Sequence, residues 1–155
     1  MRILGIDPGT TRIGFGVIET GSTFTHIKSG ILPLPPAAGS ARLLSIESEL
    51  GKLIREVQPE KIGVEKLFFS KNKKTALAVA EARGVIMHTI LKHGIPIIEL
   101  TPNEVKMAVT SNGNASKDAV AKMVAALLAI SVSHLLDDAT DALAIAIASA
   151  NTRLS

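Results

Sequence analysis

The chain has no cysteine, which excludes disulfides and thiolate metal ligands and fits a reducing cytosol. Its four histidines, His26, His88, His93 and His134, stand singly; no pair has the spacing of a zinc site, and each reads as surface or core. Tryptophan and tyrosine are absent and phenylalanine occurs four times, so an aromatic pair in a polar stretch stands out. No apolar run approaches the roughly 20 residues of a membrane span. The N-terminus starts on a strand-like segment without a basic region and small-residue cleavage site, so no secretory signal is expected and the expected location is cytoplasmic. Net charge is only +3, so the placement of charge matters more than its sum. What remains is a chain of 155 residues, 46% hydrophobic, with an Ala/Leu/Ile/Val core and the size of one domain spanning residues 1–155.

Residues 2–7 read as a buried strand and 14–19 as a second; Thr20-Gly21-Ser22 turns the chain into a third at about 23–31, which predicts a meander. The proline-rich segment 33–39 is a loop, because proline cannot donate to a sheet interior. Leu43, Ile46, Leu50, Leu53, Ile54 and Val57 recur at helical spacing over 41–57, stopped by Pro59. A fourth strand is expected at 61–65, an Ala-rich helix at 72–92 ending at Gly94, and a fifth strand at 96–100. Thr101-Pro102-Asn103-Glu104 is a capping box with proline at the first helical position. A loop follows at 110–114; Ser116 caps a further helix to about 129, and a last helix covers 137–151. Helices after strands four and five imply parallel crossovers, hence an α/β fold with a mixed five-stranded sheet flanked by helices.

The informative feature is where the acids sit. Asp7 ends the apolar run 2–6, and Glu65 ends the run 61–64. If strands one and four are parallel neighbours joined through the helix at 41–57, both side chains emerge at the same carboxyl edge, where open α/β sheets bind ligands. Asp138 and Asp141 are three apart on one helical face, in what reads as the first turn of the last helix, where the dipole favours negative charge anyway. Asp137 serves equally as a cap or, at spacing four, as a replacement for Asp138. Taken alone, such a pair is explained by helix-start preference. Three independent acidic sites in similar settings point instead to an all-oxygen site for hard cations, Mg²⁺ or Mn²⁺. Two such ions activate water and stabilise a leaving oxygen in phosphodiester hydrolysis.

Between Lys66 and Lys74 lie Lys66, Lys71, Lys73 and Lys74 with no acid, and Phe68 and Phe69 stand among them. Two readings stay open: phenylalanines folded inward beneath a solvated charge run, or aromatics that stack on bases while the lysines meet phosphates.

Taken in order, Gly5-Ile6-Asp7-Pro8-Gly9, Glu65 followed by Phe68, Lys71 and Asn72, Ala82-Arg83-Gly84, and the run from Asp138 to Ala146 resemble the RuvC family of Holliday-junction resolvases over residues 2 to about 150. The resemblance implies a ribonuclease H-like fold and a homodimer that nicks opposing strands of a four-way DNA junction. It implies that Asp7, Glu65, Asp138 and Asp141 are the catalytic, metal-binding acids, which chooses Asp138 over Asp137. Phe68 matches the family's base-stacking aromatic; Lys106 and Lys117 match basic residues facing DNA near the cut. Phe69, the lysines around it and Arg83 are expected on the same DNA face. The family also implies a branch-migration complex, RuvA with RuvB, as partner. Glu81 stands where glutamine often precedes Ala-Arg-Gly, and Ser111 where glycine is frequent, so the family's preferred cleavage sequence is not carried over.

Other readings remain. The opening Gly5–Thr11 also looks like the first phosphate loop of actin-like ATPases, but those need a duplicated domain and a second such loop. A non-catalytic, dimeric nucleic-acid-binding relative fits poorly with four retained acids. A ribonuclease H-like nuclease on another substrate, such as an RNA–DNA hybrid, fits less well than a junction with the Phe68/lysine stretch.

Overall fold

The computed structural model describes residues 1–9, 11–36, 39–66 and 73–152. Strands β1 (Arg2–Pro8), β2 (Ile13–Thr20) and β3 (Phe24–Ile31) form the expected antiparallel meander. Helix α1 (Gly39–Val57) crosses over to β4 (Lys61–Glu65), which pairs parallel with β1; α2 (Lys73–Lys92) crosses to β5 (Ile97–Leu100), parallel to β4. The sheet order is β3-β2-β1-β4-β5.

Strand alternation sorts the core into two layers. Leu4, Ile6, Ile62 and Val64 face α1 and α2, with Ile46, Leu50, Ile86 and Ile90 packed over them. Ile3, Ile18, Ile98 and Leu100 face the other way, under α3 (Pro102–Thr110), α4 (Lys117–Leu128) and α5 (Asp137–Asn151). Residues of the second phase, Asp7 on β1 and Glu65 on β4, therefore point toward α5.

Helix α5 lies directly on the strand backbones. Gly16, Gly5 and Gly63 share one row across β2, β1 and β4. A methyl group at Gly5 would overlap the Ala142 carbonyl, one at Gly63 would overlap the Ser149 hydroxyl, and one at Gly16 would sit 2.7 Å from the Leu143 nitrogen. The row of missing side chains is a groove for the small-residue face of α5, in which every residue from Ala139 to Ser149 except Asp141 is buried. Beyond the C-terminal end of α5, Lys61 donates through Nζ to the carbonyls of Ala150 (3.3 Å) and Thr152 (3.0 Å), a charge placed where the helix dipole is negative.

Boundaries differ from expectation by a residue or two: α1 begins at Gly39, and β5 begins at Ile97 because Pro96 supplies only its carbonyl to the ladder. Leu136, not Asp137, is the N-cap of α5, without a side-chain cap. Asp141 consequently lies one turn inside the helix rather than in its first turn; only Asp137 and Asp138 are there. The Thr101–Glu104 capping box and the Ser116 cap form as expected.

Candidate active site

The parallel register runs from Ile3↔Lys61 to Ile6↔Val64, so one step further Asp7 stands opposite Glu65 at the carboxyl edge of the sheet. The glycine groove brings the start of α5 down onto that edge: Gly14, the partner of Asp7 on β2, lies directly against the Asp138 backbone. The result is a cleft of about 390 Å³ whose lining includes Asp7, Glu65, Asp138, Asp141, Lys106 and Lys117. Asp137 is exposed and does not line it. The four expected acids and two of the expected cations thus converge from β1, β4, α3, α4 and α5.

Electrostatics in the cleft is dominated by negative charge. Burial, and then the neighbouring Glu65, Asp141 and Asp138, push the Asp7 carboxyl up to about 7 from an ordinary 3.8. Glu65 is also raised, first by burial and then by Asp141. Two cations offset part of this charge. Lys117 Nζ donates to Asp141 Oδ2 at 3.2 Å, and the charge of Asp141 raises the lysine. Arg12 Nε lies 3.1 Å from Asp138 Oδ2. The sequence reading missed Arg12; its signal was that it is the one cation in the turn between Gly9 and Gly14.

Oxygen-only donors with a shortage of positive charge fit hard divalent cations. Among the described residues no three such side chains close into a cage; the acids ring an open cleft instead, and an open position is what a substrate oxygen requires.

Arg83 does not reach this cleft. Its Nε donates to the Glu65 carbonyl at 3.2 Å and its guanidinium pairs with Glu99. Lys66 is exposed just beyond β4. Phe68, Phe69 and Lys71 lie outside the described residues, and Lys73 and Lys74 are described only as backbone in the first turn of α2.

A mixed sheet of this order, carboxylates on the adjacent ends of β1 and β4, and two more from a helix laid across them define a ribonuclease H-like nuclease. The family model for crossover junction endodeoxyribonuclease RuvC matches residues 3–149. Proteins of that name from Caldicellulosiruptor saccharolyticus and Moorella thermoacetica are each 44% identical; the first alignment covers 94% of this chain and 90% of the relative, the second 97% and 92%. Thermus thermophilus RuvC in complex with a Holliday junction substrate superposes with a TM-score of 0.89 at 29% identity, covering 97% of this chain and 93% of that one. The yeast mitochondrial Holliday junction resolvase Ydc2 matches at TM-score 0.66 and 14% identity, covering 94% of this chain and 77% of that one, a likeness of fold alone. The chain belongs to the RuvC family of crossover junction endodeoxyribonucleases.

Proposed function

We propose that this RuvC family member, a nuclease that resolves Holliday junctions, does its chemistry in the four-acid cleft, with Mg²⁺ as its cofactor and Mn²⁺ able to substitute. The observation that carries the reading is the convergence of Asp7, Glu65, Asp138 and Asp141 on one cleft with Lys106 and Lys117 on its walls. The four carboxylates would hold two ions, which would supply an activated water and neutralise charge on the leaving oxygen. Lys117, already beside Asp141, and Lys106 bind the phosphates flanking the cut, and Arg12 exchanges its pair with Asp138 for a phosphate oxygen as the acids take up cations.

Residues 1–155 act as one nuclease domain, and the working unit is a homodimer with one cleft per opposing strand. The Ala-rich helix α2 offers a surface for this. On α2, Leu77 and Leu91 are 66% and 65% exposed, and Gly84 between them has open space above it; these three share one helical stripe. The segment 66–74, with Phe68 stacking on an unpaired base, Phe69 beside it and Lys66, Lys71, Lys73 and Lys74 on phosphates, holds the junction open near the crossover. RuvA and RuvB present the junction, in the cytoplasm. No helix among the described residues is long and apolar enough to cross a membrane.

The test is cleavage of a synthetic four-way junction in Mg²⁺, beside duplex, flap and RNA–DNA hybrid controls. Paired symmetric nicks in the junction alone are expected. Equal cutting of the hybrid would move the substrate assignment to another ribonuclease H-like activity.

A further inference from the structure

Arg83 lies on the far side of the sheet from the acids. Glu65 and Asp7 face α5, while Val64 and Ile62 face α1 and α2. Arg83 approaches from α2 and reaches Glu65 only through its backbone carbonyl. Its other partner, Glu99, lies between Ile98 and Leu100, which belong to the α5 side, so Glu99 is on the α2 side. The side chain is 19% exposed, and its Nε and Nη2 already serve these two partners.

The register explains why that carbonyl needs an outside donor. On β4, Ile62 N–H donates to the Pro96 carbonyl and Lys66 N–H to that of Leu100, at 3.0 and 2.7 Å. Even-numbered residues therefore bond toward β5, and odd-numbered ones, Glu65 among them, toward β1. Opposite Glu65 stands Asp7, and the next donor along β1 belongs to position 8, which is proline and has no N–H. The Glu65 carbonyl is left without a ladder partner at the last residue of the strand, one peptide from the point where the chain departs. An unpaired carbonyl in a partly buried setting is unfavourable, and Arg83 supplies the missing bond. Anchored by Glu99 on the neighbouring strand, the guanidinium fixes the end of β4, and with it the direction in which the Glu65 carboxylate points.

We propose that Arg83 is a positioning residue for Glu65, acting from behind the sheet, and not a contact to DNA. The proposal rests on the reading of the four-acid cleft as the metal-dependent cutting centre. Groups that orient metal ligands typically matter 10–100-fold when removed, and small misplacements in a reacting constellation have similar effects.

The experiment compares wild type, Arg83→Gln, Arg83→Lys and Glu65→Gln. It measures Mn²⁺ affinity without DNA, junction affinity across a salt series, the single-turnover cutting rate at saturating junction, and Tm. For Arg83→Gln, Mn²⁺ binding is expected to weaken about tenfold and cutting to slow about 10–100-fold, with junction Kd and its salt dependence unchanged. Arg83→Lys keeps a donor for the carbonyl and is expected to recover most of the Mn²⁺ affinity, which also keeps the test readable if Arg83→Gln folds poorly. Weaker junction binding with a salt slope lower by about one unit would make Arg83 a phosphate contact and overturn the proposal. A lower Tm with unchanged Mn²⁺ affinity would leave it a structural strut and overturn it equally. Unchanged Mn²⁺ affinity in Glu65→Gln would instead remove the metal reading on which the proposal stands.

Discussion

Asp7 is a partly buried carboxylate with three others in electrostatic reach, and its proton affinity records both facts. Its folded value of about 7 lies above the ordinary 3.8. Between those two pH values the folded, ion-free protein holds a proton that the unfolded chain has released, so stability falls as pH rises through that window. Asp7→Asn removes the penalty. The ion-free Asp7→Asn protein is expected to be more stable than wild type at pH 8, on the order of 1–3 kcal/mol, with the gap closing toward pH 4; thermal melts in chelator across pH check this. The same substitution is expected to abolish cutting in Mg²⁺ while leaving junction binding nearly intact, measured by gel shift and single-turnover cleavage. At Phe68, outside the described residues, alanine is expected to slow cutting more than it weakens binding, because stacking on a base is worth about 1–3 kcal/mol. The acids themselves were readable from local pattern, since Asp7 and Glu65 end apolar runs, Asp138 opens an apolar helix and Asp141 follows it on the same helical face. Glu99 was not, and Arg12 showed only as the one cation in its turn: their importance comes from the guanidinium or carboxylate each meets across the fold.

At the scale of elements, the site depends on how closely α5 approaches the sheet. The glycines at 5, 16 and 63 remove the side chains that would hold the helix away. Gly63→Ala would drive a methyl into Ser149 Oγ, with the Ser149 Cβ at 3.1 Å, and overpacking of this kind is expected to destabilise by about 1–3 kcal/mol. Adding Ser149→Ala takes away the first obstacle and is expected to restore part of that loss, whereas Gly5→Ala meets backbone at Ala142 and has no such remedy. A double-mutant cycle on Tm or urea midpoint measures the coupling. Helix boundaries and caps were legible because capping is local: Thr101 with Glu104, and Ser116 with the Ala119 N–H. The last helix spans the expected 137–151; what differs is its first turn, which the chain enters through Leu136 and which holds Asp137 and Asp138 but not Asp141. The in-register glycine row was invisible for another reason. Only strand pairing shows that residues 5, 16 and 63 are neighbours.

For the molecule as a whole the net charge is only +3, so under the proposed function the DNA contact rests on the basic stretch beginning at Lys66 with Lys106 and Lys117. Junction affinity is therefore expected to fall steeply with salt, with a log–log slope of about −0.9 for each phosphate neutralised; a titration between low and moderate salt measures it. The exposed leucines of α2 belong to the same scale. Leu77→Glu together with Leu91→Glu is expected to give monomers in sedimentation velocity, and to convert paired nicking of a junction into uncoordinated single nicks. The fold class followed from element order, since a meander followed by two strand–helix crossovers leaves few ways to build a sheet.

By itself the sequence determined the elements, the mixed sheet, the four acids and, through its motifs, the family, because hydrophobic period, capping chemistry and strand-end carboxylates are properties of short segments. Only the tertiary structure decided how the acids meet in one cleft, with Asp138 on it and Asp137 outside it as the family motif implied, and that Arg83 reaches the Glu65 carbonyl from behind. Those facts depend on register and on the distance between layers: a proline opposite a carbonyl, or a glycine beneath a helix, acquires its meaning only when a particular neighbour is brought against it.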